Sequence, residues 1–169
     1  MAEKVEVIAE AVREVRRLKD QLDDLYKKYR EALRAVELNF QGELHKYMCI
    51  RLAGYLEQLL FLSVTAYIQA SAGSNASSFA LHNFKSAPNL TPEAFDKLIA
   101  RFGSATWSIS LEQLLLAGNA RGDLGTLMKI RNKSAHGGNY RGSIRSTESF
   151  KVLIDDIHNW VMRTILTQC

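Results

Sequence analysis

The sequence predicts an all-α protein, and three observations carry that prediction. Apolar residues recur with helical spacing along most of the chain. Glycine and proline, ten and two among 169 residues, gather between the periodic stretches. No run alternates apolar and polar residues as a half-buried strand would.

Residues 3 to 38 place Ile8, Val15, Leu22, Tyr29 and Val36 seven apart, with Val5, Val12, Tyr26 and Leu33 at companion positions. A heptad seam therefore runs along one long helix, interrupted once by Lys19. Such a stripe packs either on the next helix or on the same helix of a second chain, and the spacing leaves both open. The pattern pauses over residues 39 to 42, and a wide-faced, buried helix is expected from about Glu43 to Ala70. Gly73 and the run Ser74-Asn75-Ala76-Ser77-Ser78 mark its end, because hydroxyl and amide side chains compete for backbone hydrogen bonds. A loop or short helix should follow to Phe84.

Thr91-Pro92-Glu93 is a helix start: threonine caps free amides, proline fits the first turn and glutamate suits the positive dipole end. That helix should stop at Gly103. Ser110 and Gln113 have capping-box spacing, opening a short helix that ends near Gly118. Another is expected from about Asp123 to Ala135, stopped by Gly137-Gly138. The last should begin near Ser146 or Thr147, with Phe150, Leu153, Ile154, Ile157, Trp160, Val161 and Ile165 on one face. Residues 1–40 thus read as a long amphipathic helix, for packing or as a coiled-coil extension, and residues 41–169 as a helical domain.

Composition narrows the function. With 47% hydrophobic and 24% charged residues the chain has the balance of an ordinary globular protein. Cys49 and Cys169 are too few and too far apart for a disulfide framework, and the N-terminus lacks a signal-peptide pattern, so a reducing cytoplasm is expected. The longest apolar run, around Leu59 to Ala66, is broken by Ser63 and Thr65 and reads as core rather than membrane. Net charge is only +4, yet Lys129, Arg131, Lys133, Arg141 and Arg145 fall between Leu124 and Thr147 with no acid among them. The rest of the chain is then close to neutral, and this concentration of positive charge suits a polyphosphate such as RNA.

Several chemistries lack their residues. His45, His82, His136 and His158 form no paired ligand spacing with each other or with the cysteines, so no metal is expected. No phosphate-binding lysine loop, dinucleotide glycine pattern or serine nucleophile elbow occurs, and no cofactor is expected. Trp107 and Trp160 are most simply core, and His45 and His158, on amphipathic helices, read as surface or satisfied core histidines.

What remains is Arg131-Asn132-Lys133-Ser134-Ala135-His136-Gly137-Gly138, inside the basic segment. It resembles the signature of the HEPN superfamily, an arginine commonly followed by a polar residue and then a histidine after four to six positions. Here four residues intervene. The resemblance runs from Leu44 to Ile165, through Gly54-Tyr55-Leu56-Glu57, Asn89-Leu90-Thr91-Pro92-Glu93, Arg101-Phe102-Gly103 and Leu127-Met128-Lys129-Ile130. It implies an HEPN-like helical bundle of a prokaryotic ribonuclease or toxin-like branch, acting as a homodimer that joins two Arg/His pairs in one cleft. It further implies a toxin or antiviral effector, with a binding antitoxin or regulatory protein as a possible partner. Some such toxins are controlled through a tyrosine two residues after the histidine; position 138 is glycine here and the nearest tyrosine is Tyr140.

The residue types suit internal cleavage of RNA without a metal. Attack of a 2′-hydroxyl on the adjacent phosphate needs one proton removed, one supplied and developing negative charge stabilised. His136 is assigned the proton transfer and Arg131 the transition-state charge, with Asn132 orienting substrate or histidine. Positions five apart on a helix differ by about 140 degrees, so a helix ending at His136 before the two glycines would swing the imidazole toward the groove. Glu57 corresponds to the early-helix acid that the resemblance implies, orienting His136 or pairing with Arg131. Lys129, Lys133, Arg141 and Arg145 would steer phosphates, and Tyr140 would stack on a base or anchor its loop. The alternatives are a non-catalytic HEPN module that binds RNA or nucleotide, and a dimerisation domain built on the heptad stripe.

Overall fold

A computed structural model describes residues 2–84, 89–135 and 143–167 of the protein. Among these there are seven helices and no strand: α1 (Ala2–Ala35), α2 (Leu38–Ser71), α3 (Ser74–His82), α4 (Pro92–Ala100), α5 (Ala105–Leu116), α6 (Ala120–Ala135) and α7 (Ile144–Thr164). The all-α expectation is met.

The seam of α1 packs on the next helix of its own chain. Ile8, Ala11, Val15, Leu22, Tyr29 and Leu33 are buried and belong to one core with Leu52, Leu56 and Leu59 of α2. α2 runs back along α1, so that Tyr29 meets His45 near the turn and Val7 comes beside Leu62. The turn is sharper than the sequence suggests. α2 begins at Leu38 rather than Glu43, because the side-chain amide of Gln41 donates to the carbonyls of Leu33 and Val36 and closes the end of α1. Leu38 and Phe40 lie on the first turn of α2 but are exposed, which is why the apolar pattern paused there.

α2 is the spine of the bundle, contacted by α1, α3, α6 and α7. It is long and apolar enough to cross a membrane by length and composition, unlike the short run read from the sequence, yet 61% of its most apolar window is buried inside the protein. Full burial of each leucine there contributes roughly 1.5–3 kcal/mol.

The other boundaries follow their caps. Thr91 accepts from the amide of Ala94, opening α4 as expected, and Gly103 turns the chain at φ 67°. Ser104, not Ser110, caps α5 by accepting from the amide of Trp107. Ser110 instead donates to the Trp107 carbonyl and accepts from the indole of Trp160, tying α5 to α7. Gly118 at φ 56° starts α6 three residues before Asp123, and Ser143 rather than Ser146 or Thr147 caps α7. Residues 74–82 form a true helix.

Lys19, the break in the seam, holds α1 to α7. Its ammonium pairs with Asp23 and Asp155, while Lys151 of α7 pairs with the same two carboxylates and lies 5.5 Å from the ring centre of Tyr26. Both lysine side chains are largely buried, at 16% and 12% exposure. Two Tyr–His pairs flank this layer, Tyr29 with His45 and Tyr55 with His158, at 2.6 and 2.7 Å.

Candidate functional site

α6 is fixed in the bundle by Leu124, Leu127, Met128 and Ile130, all buried. This orientation leaves Lys129 and Lys133, one turn apart, exposed on the outer face. Between the two faces, Arg131 leans toward α2. There Glu57 is 7% exposed, because α2 is covered on nearly every side.

The two helices meet through charge. Arg131 Nη2 donates to Glu57 Oε2 at 3.0 Å, and Arg131 Nη1 donates to Asn132 Oδ1 at 3.2 Å. The arginine side chain is 37% exposed, the glutamate side chain 10%. Glu57 Oε1 is buried and accepts no hydrogen bond, and Ser134 Oγ, also on α6, is likewise buried without a partner among the described residues. A native protein rarely leaves such atoms unsatisfied, and a carboxylate oxygen without a donor costs more than a neutral one.

Three sequence candidates, Glu57, Arg131 and Asn132, are thus brought together. Lys129 and Lys133 lie on the same helix, and Arg145 is exposed on the first turn of α7. His136, Tyr140 and Arg141, with Gly137 and Gly138, lie outside the described residues. Arg51 stands outside the sequence candidates, which drew every cation from residues 129 to 145. It lines a cavity of about 340 Å³ with Glu57, Gln58, Tyr55 and Leu18. Its signal was available, since α2 carries only four Asp, Glu, Lys or Arg residues among 34, namely Glu43, Lys46, Arg51 and Glu57.

Chemically, the arrangement is a guanidinium with donor capacity to spare, tethered at the surface by a buried acid. Arginine has five N–H donors and two are used among the described residues, leaving others for a phosphoryl group approaching from solvent. Among the described residues no three His, Cys, Asp or Glu side chains come together as metal ligands.

The family model described as RiboL-PSP-HEPN matches residues 6–164. The match takes in nearly all of α1 as well as the stretch from Leu44 onward. No curated protein and no solved structure gives a match.

Proposed function

This chain belongs to the RiboL-PSP-HEPN family of the HEPN superfamily, and on that premise we propose that it is a metal-independent endoribonuclease. The ribose 2′-hydroxyl attacks the adjacent phosphorus while His136 moves the protons, and the departing 5′-oxygen leaves protonated. The products end in a 2′,3′-cyclic phosphate and a 5′-hydroxyl. Arg131 binds the phosphoryl oxygens and stabilises the charge that builds on them, a role for which a planar, permanently charged fork is suited. Asn132 and Glu57 hold that guanidinium in place, and Lys129, Lys133, Arg141 and Arg145, with Tyr140, guide the strand. Two copies of the chain would share one cleft, in a toxin or antiviral effector acting in the cytoplasm and kept in check by an antitoxin or another regulatory protein.

The observation that carries this reading is the contact set of Glu57, Arg131 and Asn132, a half-exposed cation held by a buried acid that has one oxygen to spare. A second reading draws on the same ion pair. If Arg131 serves only to pin α6 to α2, the basic face is a non-catalytic RNA- or nucleotide-binding module, or the chain a dimerisation domain.

Incubation of purified protein with RNA in EDTA, followed by end-group analysis, separates these. Cleavage with cyclic phosphate ends is expected, reduced about 10²- to 10⁴-fold in Arg131→Ala and in His136→Ala, with circular dichroism unchanged. RNA binding without cleavage in the wild-type protein would leave the second reading standing.

A further inference from the structure

A cavity of about 790 Å³ opens where the α1–α2 turn meets the start of α7. It shares no residue with Glu57, Arg131 or Asn132. Its volume falls within the range of small-molecule sites, roughly 300–1,000 Å³, and its walls combine two chemistries. Leu33, Leu38 and Ile144 supply apolar surface, and Arg30, Arg34 and His45 supply polar groups.

His45 is the informative member. It is only 5% exposed, and its Nδ1 is 2.6 Å from the Tyr29 hydroxyl. A phenol is a better hydrogen-bond acid than a neutral imidazole, so the hydroxyl donates and Nδ1 accepts. Burial favours the neutral ring, and its one hydrogen then resides on Nε2. No hydrogen bond among the described residues reaches Nε2, although the ring borders the cavity.

The remaining charges point the same way. Arg34 is exposed and forms no ion pair among the described residues. Arg30 is paired with Glu148 of α7. Ser143 and Ile144 bring the first turn of the 21-residue α7, whose peptide dipoles favour an anion. Gln41 and Asn39 also line the cavity, the amide nitrogen of Gln41 donating to the carbonyls of Leu33 and Val36. The lining therefore includes donors from Arg34 and His45 beside the apolar Leu33, Leu38 and Ile144.

We propose that this cavity binds an organic phosphate of nucleotide size, with the phosphate on Arg34, Arg30 and His45 Nε2–H and the body against Leu33, Leu38 and Ile144. The cavity is separate from the contact set of Glu57, Arg131 and Asn132, and binding alone tests it.

Isothermal titration calorimetry on the full chain would use each of the four ribonucleoside 5′-monophosphates, with the parent nucleosides and inorganic phosphate alongside. Saturable binding of at least one monophosphate is expected, with nucleosides and inorganic phosphate weaker. Arg34→Glu, at an exposed position that leaves the core untouched, should weaken that binding by about tenfold or more, as loss of a charge-assisted hydrogen bond does. His45→Phe should do the same wherever its melting curve shows an intact fold, and Arg131→Ala should have no effect. Absence of saturable binding at millimolar concentrations overturns the proposal, as does affinity indifferent to Arg34→Glu. Loss of binding in Arg131→Ala would assign the ligand to the other site, and inorganic phosphate binding as tightly as the monophosphates would remove the nucleotide; either result also overturns it.

Discussion

Two clusters of partly buried charge differ in what they leave over. Between α1 and α7, two lysines and two aspartates pair with one another completely, and Lys151 also lies over the ring of Tyr26. Between α2 and α6, one glutamate meets one arginine, and Glu57 Oε1 has nothing to accept among the described residues. The closed cluster has no capacity for a ligand, and its effect is to fix how two helices meet. The open one keeps a cation half in solvent and an acid short of donors, which is a poor solution for stability alone. Similar residue types thus serve architecture in one place and suit chemistry in the other.

That contrast can be tested by substitution in both clusters. Glu57→Gln retains the shape and one acceptor but removes the charge that holds Arg131. On the ribonuclease reading it should slow cleavage about 10- to 100-fold, a smaller loss than that of a proton-transfer group. Unchanged cleavage rates would make Glu57 purely structural. Lys151→Ala should do the reverse, leaving cleavage intact while lowering stability by about 1–2 kcal/mol, since its partners remain half in water. Urea denaturation measures the second effect, and a cleavage defect in this variant would erase the distinction between the clusters.

The smallest effect concerns pH. Burial holds His45 and His158 below the ordinary imidazole range. The unfolded chain therefore binds more protons than the folded one below about pH 6.5. Stability from these neutral rings is complete above that pH and declines as the pH falls through the window beneath it. Asp23 behaves differently. Burial raises its pKa, but hydrogen bonds from Lys19 and Lys151 outweigh that and hold it below the usual carboxylate value. Its contribution persists until far more acidic conditions. Melting temperatures should consequently begin to fall between pH 7 and 5, and His158→Leu should flatten that slope. A slope in this window that was untouched in both His158→Leu and a His45 variant would assign the decline to other groups.

Much of the architecture was legible because helical periodicity is a local property. The seam of α1, the cap at Thr91 and the face of α7 from Phe150 to Val161 all follow from nearby residues. The boundary between α1 and α2 did not, because it depends on Gln41 reaching back to Leu33 and Val36 across the turn. Ser110 was misread for a related reason: its hydroxyl meets the indole of Trp160, fifty residues away, and capping was left to Ser104. The same distinction governs the charges. Lys19 looked like a flaw in a heptad pattern, since Asp155, the partner that ties it to α7, lies far along the chain. Glu57 could be coupled to Arg131 only through a family resemblance, as 74 residues separate them and no spacing rule spans that interval.

The wrapping of α2 by α1 has a practical corollary. The first helix shields a segment whose composition alone would let it enter a lipid bilayer. A truncated chain beginning after residue 37 would bare Leu52, Leu56 and Leu59 to water, together with a Lys151–Asp155 pair stripped of its α1 partners Lys19 and Asp23. Such a fragment should clump or adhere to lipid vesicles and detergent rather than fold as a smaller unit, so the leading helix acts as a built-in solubiliser for the segment it covers.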